Sequence, residues 1–199
     1  MTHQLSAIFR LRQAIALDDD AAAEAVISAL GPEDEADLLA LAGDADPDRR
    51  WWGLRGLAAV GGADAVPILA AALSAAEEGE RAVAALGLGH LHARAGQAVT
   101  DALPVLAKRL TDPAGLVRQA AADGLALCGE DAVPVLVAAL ESEHEGVRVR
   151  AAAALRKLQS MRAAGALYQH LNDPNHLVRL YAYETLDAMG LLTNILLRR

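Results

Sequence analysis

The chain has 199 residues, enough for one compact domain or one short array of repeats. Apolar residues make up 54% and aromatic residues only 3%, and since most of the apolar side chains are Ala, Leu and Val, the composition favours closely packed helices. The net charge of −8 disfavours nucleic acid as a partner, because surfaces that bind phosphate backbones are normally basic.

The sequence also argues against a membrane span and against secretion. The longest apolar run, residues 65–73, contains Pro67 and is far shorter than the roughly 20 residues that span a bilayer. The first residues lack the basic and apolar blocks of a signal peptide. The single cysteine, Cys128, excludes an internal disulfide and fits a reducing compartment. We therefore expect a cytoplasmic protein with no membrane contact.

In chain order, apolar residues at helical spacing predict a single domain of successive helix pairs. Residues 4–16 are predicted to form an N-terminal capping helix, and residues 18–42 a degenerate repeat. Four further repeats are predicted over residues 44–74, 76–110, 112–141 and 143–171. Residues 173–199 are predicted to form a C-terminal half repeat followed by a closing helix.

Three rows of residues recur in register and define the repeat. Arginines recur at intervals of 31, 37, 30 and 31 residues, at Arg50, Arg81, Arg118, Arg148 and Arg179. A leucine follows each arginine seven residues later, at Leu57, Leu88, Leu125, Leu155 and Leu186. A second leucine row marks the other half of each repeat, at Leu69, Leu106, Leu136 and Leu167. Registers that coincide in this way indicate tandem helical hairpins.

Aspartates are predicted to mark where the helices begin. The first helices are expected to open with an Asp N-cap and a Pro at the first helical position, at Asp46-Pro47, Asp112-Pro113 and Asp173-Pro174. The second helices are expected to begin at Asp64, Asp101 and Asp131. One repeat is longer, because 18 residues separate Leu88 from Leu106 where 11 or 12 separate their counterparts. We expect this 89–100 insertion to form a loop between helices, either functional or simply tolerated.

Residues 112–125 (DPAGLVRQAAADGL) and 129–140 (GEDAVPVLVAAL) carry a family resemblance. They resemble the short, armadillo-like HEAT repeat of the phycobilisome lyase family, and the resemblance covers residues 44–190, with a weaker extension to 18–42. It implies an all-α fold, a right-handed α-solenoid (α-α superhelix) of antiparallel helix pairs. In this family the Asp and Arg of the motif tie adjacent repeats together. We therefore interpret the arginine row as architecture rather than as an anion-binding ladder.

No catalytic residue, metal or cofactor is predicted. Only His90 and His92 are close in sequence, and an i,i+2 spacing on a helix directs two side chains apart. Iron hydroxylases built from similar repeats need several His-Glu pairs, and here only His144-Glu145 occurs. Cys128 occupies a small apolar position at the end of a first helix and is interpreted as part of the core.

The second helices are predicted to carry the partner site, because in HEAT-like solenoids they line the concave face. With the second leucine row in the core, two sets of residues are expected to face outward. They are Ile68, Val105, Val135 and Ala166, and three residues further on Ala71, Lys108, Ala138 and Gln169. Such a largely apolar groove, edged by aspartates, favours a mildly basic protein or peptide partner. Alternatively, neighbouring repeats cover these short side chains.

Trp51 and Trp52 form a second candidate site. Tryptophan is enriched in binding hot spots, although the two rings could instead pack under the N-terminal helices. Together these features favour a non-catalytic scaffold or adaptor. The family resemblance leaves a bilin lyase or a chaperone-like subunit for a chromophore protein as the alternative, and the acidity of the chain disfavours a DNA glycosylase of similar build.

Overall fold

The computed structural model describes residues 6–192, and within that range the chain is helical with no β-strand. Short 3₁₀ turns and tight connections link the α-helices. The helices are α1 (Ala7–Ala16), α2 (Asp20–Ile27), α3 (Glu35–Ala42), α4 (Pro47–Val60), α5 (Ala65–Ala72), α6 (Glu78–Lys108), α7 (Gly115–Leu127), α8 (Val133–Leu140), α9 (Glu145–Leu158), α10 (Ala164–Gln169) and α11 (His176–Ala188).

The chain divides into two compact units, Met1–Ala102 and Leu103–Arg199. In the first unit α1 packs on α2, and α3 packs on α4, which also contacts α2. In the second unit α7, α9 and α11 pack side by side, while α8 lies against α9 and α10 against α11. Both units therefore consist of stacked antiparallel helix pairs, which confirms the predicted all-α solenoid fold class.

Both leucine rows lie in the cores of their units, where every member is fully buried. Three residues after each arginine of the row comes a small residue that is buried as well, as at Ala121 and Ala151. At Gly53 the two helices approach closely, since a Cβ atom added there would lie 2.3 Å from the backbone nitrogen of Ala42. Helices α3 and α4 can approach this closely only because Gly53 has no side chain.

The predicted helix start is correct for α4. It begins at Pro47, and the Asp46 carboxylate caps it by accepting hydrogen bonds from the backbone N–H groups of Asp48 (2.9 Å) and Arg49 (3.2 Å). Proline at the first helical position loses no intrahelical hydrogen bond.

The same prediction is wrong at the other two Asp-Pro pairs. There the helices begin two residues later, at Gly115 and His176. Asp112 accepts a hydrogen bond from Ala114 N (3.0 Å), as Asp173 does from the backbone two residues on. The aspartate closes a local turn ahead of the helix instead of capping the helix itself.

The N-cap interpretation of the second aspartate row also needs correction. Asp64 precedes α5 but its side chain makes no capping hydrogen bond. Asp101 lies inside α6, where its carboxylate accepts a hydrogen bond from Gln97 Nε2 at 2.9 Å. Asp131 lies in the 3₁₀ turn Gly129–Ala132. The chain enters the second helices through tight turns, so the aspartates are not placed at the first free N–H groups.

The 89–100 insertion is not a loop, contrary to the prediction. These residues are helical and extend α6, which kinks at Gly96 (φ 15°, ψ −91°). The extension forms because Leu91 and Val99 continue the buried face of the helix. Arg94 fixes it by donating to the carbonyl oxygens of Gly61 (3.0 Å) and Ala58 (3.2 Å) at the end of α4. The predicted closing helix at the C-terminus lies almost wholly outside the described residues.

Candidate partner-binding surface

In the first unit, the predicted groove residues lie on α5. Leu69 is fully buried, whereas its neighbour Ile68 is 37% exposed and Ala71 is exposed. A helix with its leucines in the core leaves the preceding residue and the one three positions on at the opposite side. A partly exposed isoleucine therefore lies next to a fully buried leucine.

In the second unit, the same pattern recurs on the last turns of α6 and on α8 and α10. Val105 is 38% exposed beside the fully buried Leu106. Val135 and Ala166 are half-buried. The residues three positions after Val105, Val135 and Ala166 are all exposed: Lys108, Ala138 and Gln169. We call the eight residues Ile68, Ala71, Val105, Lys108, Val135, Ala138, Ala166 and Gln169 the second-helix row. Its members differ in exposure, with Val135 and Ala166 partly covered by their surroundings.

The two tryptophans lie on α4, a first helix, and not in the second-helix row. Trp52 is only 5% exposed, and its ring meets that of Trp51 edge to face with the centroids 4.8 Å apart. Trp51 is half-buried, and its indole lies 3.5 Å from the position that a Cβ on Gly79 would occupy. This placement favours packing for Trp52 and leaves part of Trp51 open to solvent.

A depression of about 460 Å³ opens beside the tryptophan pair. Besides the two indoles it is lined by Asp20 and Glu24 of α2 and by Asp48 of α4. Carboxylates and an aromatic face together favour cationic groups. The local charge at Trp51 thus has the same sign as the net charge of the whole chain.

In the first unit, the arginine row is engaged in structural contacts at Arg50. Its Nη1 donates to the backbone oxygens of Asp44 (3.2 Å) and Ala45 (2.7 Å), and its Nε and Nη2 donate to Glu80 Oε1 at 3.1 and 2.8 Å. The hydrogen bond to Glu80 raises the pKa of Arg50. One guanidinium therefore ties the turn before α4 to the first turn of α6. Glu80 was not predicted as its partner, although it follows Arg50 by 30 residues.

In the second unit, Arg148 makes the equivalent contacts. Its Nε and Nη2 donate to the two carboxylate oxygens of Asp173 at 2.8 and 3.2 Å. Burial alone would raise the pKa of Asp173, but the hydrogen bonds from Arg148 and from the Asn175 backbone N–H, together with the nearby positive charge, outweigh it and hold that pKa below its usual value. Arg179, six residues after Asp173, instead donates to the Asp173 backbone oxygen at 2.7 Å. Asp173 therefore pairs with the arginine of the preceding repeat and not with the arginine of its own motif.

The cysteine has no nucleophilic character. Cys128 is buried, and its thiol donates to the Gly124 backbone oxygen at 3.3 Å. Burial, assisted by the charge of Asp131, raises the pKa of Cys128 to about 12. Because the thiolate is the reactive form, the group is unreactive at neutral pH.

Within residues 6–192, no three His, Cys, Asp or Glu side chains lie close enough together to hold a metal ion. No helix in the same range combines the length and the apolar character that a bilayer crossing requires.

Stacked helix pairs, two buried leucine rows and arginines that join successive repeats define a helical-repeat protein. A sequence model of HEAT repeats matches residues 35–126 and 103–187. The chain therefore belongs to the HEAT-repeat family, and the resemblance to phycobilisome-lyase-type repeats is confirmed. No curated protein matches the chain in sequence.

Several solved structures are similar to the chain. The complex of CpcE and CpcF of phycocyanin lyase from Nostoc sp. PCC7120 is 26% identical, with a TM-score of 0.62 over 76% of this chain and 99% of that one. The YIBA protein of Escherichia coli is 19% identical, with a TM-score of 0.60 over 96% and 78%. A designed armadillo repeat protein in complex with the peptide (KR)4 is 18% identical, with a TM-score of 0.52 over 92% and 99%. The last two likenesses concern the fold alone.

Proposed function

We propose that the chain is a non-catalytic scaffold or adaptor that binds a protein or peptide through the second-helix row. The observation that carries the proposal is a repeated register: a partly exposed aliphatic residue, Ile68 (37%) or Val105 (38%), directly precedes a fully buried leucine on a second helix. Single exposed leucines are normal at protein surfaces, whereas aliphatic side chains that recur at one register can contribute affinity at an interface.

The chemistry of the partner follows from charge and surface composition. With a net charge of −8, the chain attracts basic partners at long range and repels acidic ones. The designed armadillo protein similar to this chain is complexed with a peptide of alternating lysine and arginine. We infer a mildly basic partner that places apolar side chains on the second-helix row, with Trp51 as an additional contact. Nucleic acid is not expected.

A double variant in the second unit tests this proposal. In Val105→Glu with Val135→Glu, two carboxylates enter the second-helix row, and we expect loss of the partner because the charges would be buried on binding. The measurement is a quantitative pull-down from the native host.

The matched control is Leu116→Glu with Leu180→Glu, which adds the same charge to the same unit. These leucines lie on the first helices α7 and α11 and are 59% and 44% exposed. A protein retained by the control and lost with the Val105→Glu, Val135→Glu variant supports the proposal. If that variant is folded and retains every protein that the wild type retains, the second-helix row is not the binding surface.

The second candidate function is a bilin lyase or a chaperone-like subunit for a chromophore protein. It is favoured by the likeness to the CpcE and CpcF complex, of which this chain covers 99% of the matched chain. In that case the second-helix row would hold a bilin or a helix of the chromophore protein. Under the scaffold proposal, adding phycocyanobilin to the purified protein leaves the visible absorbance of the pigment unchanged. A shift that the Val105→Glu, Val135→Glu variant removes would favour the lyase instead.

A further inference from the structure

The arginine row has a complete set of contacts at Arg148. Nη1 donates to the backbone oxygens of Ser142 (2.9 Å) and Glu143 (3.2 Å), while Nε and Nη2 form a bidentate pair with the carboxylate of Asp173. The backbone contacts fix the guanidinium, and its remaining edge is presented to a carboxylate. This edge geometry is the one that arginine uses for bidentate recognition of oxyanions.

At Arg118 the same anchor is present without the carboxylate. Nη1 donates to the backbone oxygens of Asp112 (2.7 Å) and Pro113 (2.8 Å). Among the described residues no carboxylate forms an ion pair or hydrogen bond with Arg118, so its Nε and Nη2 edge has no bidentate partner.

The missing partner is explained by a serine. Ser142 lies six residues before Arg148, as Asp173 lies six residues before Arg179. Both side chains close the same turn, since Ser142 Oγ accepts from His144 N at 3.2 Å and Asp173 Oδ1 accepts from the backbone two residues on at 2.8 Å. Serine preserves the turn but removes the negative charge that the preceding arginine would pair with.

A second guanidinium lies beside Arg118. Arg150 donates from Nη1 to the Gly146 backbone oxygen at 2.9 Å, but its Nε is buried and has no hydrogen-bond partner. Burial, together with the positive charge of Arg118, lowers the pKa of Arg150. The like charges of Arg118 and Arg150 and the unsatisfied buried donor of Arg150 are electrostatically unfavourable in the unliganded protein.

Both arginines line a depression of about 340 Å³ between the N-terminal ends of α7 and α9. Leu110 and Val147 form part of its wall, and His144 is exposed at its edge. Asp112 also lines it, but that carboxylate accepts from Ala114 N and lies 3.8 Å from Arg109. The volume exceeds that of a small inorganic anion and leaves room for an organic group against the aliphatic wall.

We propose that Arg118 and Arg150 bind an oxyanion, a carboxylate or phosphate group carried by a small organic ligand. Arg118 presents its Nε and Nη2 edge to two oxygens of the anion, as Arg148 does to Asp173. Arg150, which lines the same depression, contributes a second positive charge. This site lies on the loop side of the first helices and does not depend on the second-helix row.

A pair of substitutions at Ser142 tests the site without removing either arginine. Ser142→Asp places a carboxylate at the position equivalent to Asp173, where it competes with the ligand for Arg118. In Ser142→Asn the asparagine has nearly the same shape as that aspartate and can close the same turn, but it carries no charge. Binding is measured by calorimetry with sodium benzoate and with sodium phosphate, in sodium chloride of matched ionic strength, and neutral benzamide controls for apolar contact alone.

We expect the wild type and Ser142→Asn to bind at least one of the two anions with similar affinity, and not benzamide. Ser142→Asp and Arg150→Gln should bind it at least about tenfold more weakly, because each removes a charge-assisted interaction. Benzoate without phosphate identifies the group as a carboxylate, and phosphate without benzoate identifies it as a phosphoryl group. The proposal is overturned if neither anion binds the wild type, or if Ser142→Asp binds as Ser142→Asn does.

Arg179→Gln controls for nonspecific attraction to arginine. Arg179 has the same backbone contacts, to Asp173 and Pro174 at 2.7 and 2.9 Å, but it is exposed. We expect this variant to bind the anion as the wild type does. A loss equal to that of Arg150→Gln would show that any surface arginine serves, which contradicts a defined site.

Discussion

Replacing Gly53 with alanine is expected to lower the free energy of unfolding by about 3 kcal/mol. A Cβ at this position would lie 2.3 Å from Ala42 N, 2.7 Å from the Leu41 carbonyl carbon and 2.8 Å from Ala42 Cα. These are backbone atoms of α3 and cannot rotate away, so α3 and α4 must separate. The loss outweighs the gain of about 1 kcal/mol that alanine brings to a helix interior. Urea denaturation followed by far-UV circular dichroism measures the change.

Gly165→Ala is the matched control for this prediction. Gly165 lies in α10, and a Cβ added there would meet no atom within 4 Å. We expect the stability to be unchanged or raised by up to about 1 kcal/mol. Unfolding of Gly53→Ala at the same urea concentration as the wild type would contradict the close approach of α3 and α4.

Trp52→Ala is expected to destabilise the protein by about 3 to 5 kcal/mol. The indole is 5% exposed and packs edge to face on Trp51. Its removal leaves a cavity next to α2 that the surrounding helices can fill only in part. Thermal unfolding by circular dichroism measures the loss, and the remaining tryptophan should show red-shifted fluorescence because it loses the neighbouring ring.

Trp51→Ala separates packing from binding. Trp51 is half-buried, so we expect a smaller loss of stability than for Trp52→Ala. If Trp51 contributes to the partner surface, its removal weakens partner capture in the folded protein. Equal destabilisation by the two variants would contradict the different placement of the two rings.

Of the rows that repeat in the sequence, the leucine rows were placed correctly and the aspartate rows mostly were not. The rows of Leu57 and Leu69 recur once per repeat and are buried, because an apolar side chain at a fixed register has only the core to enter. The interpretation of the arginines as architecture holds at Arg50 and Arg148, which each contact a carboxylate of the following repeat. Periodicity and residue type were sufficient for the leucines, whereas the interpretation of the arginines came from the family resemblance.

Features that depend on one particular repeat were not predicted. The 89–100 segment is helical because Arg94 reaches the carbonyl oxygens of Gly61 and Ala58, more than 30 residues away. The unsatisfied Nε of Arg150 depends on burial, which the sequence pattern does not report. Ser142 departs from the aspartate row, but its consequence for Arg118 requires knowing that Asp173 pairs with Arg148 of the preceding repeat. Which residues of the second-helix row bind a partner stays a prediction.

The dissociation constant of a captured partner, measured with purified proteins, tests the binding role of the second-helix row most directly. For Val105→Glu with Val135→Glu we predict an increase of at least about tenfold, since burying an uncompensated carboxylate opposes binding. For Leu116→Glu with Leu180→Glu we predict a value within about twofold of the wild type, because the added charge is the same but lies on the first helices. Equal dissociation constants for the wild type and the Val105→Glu, Val135→Glu variant would contradict the assignment of the second-helix row as the partner surface.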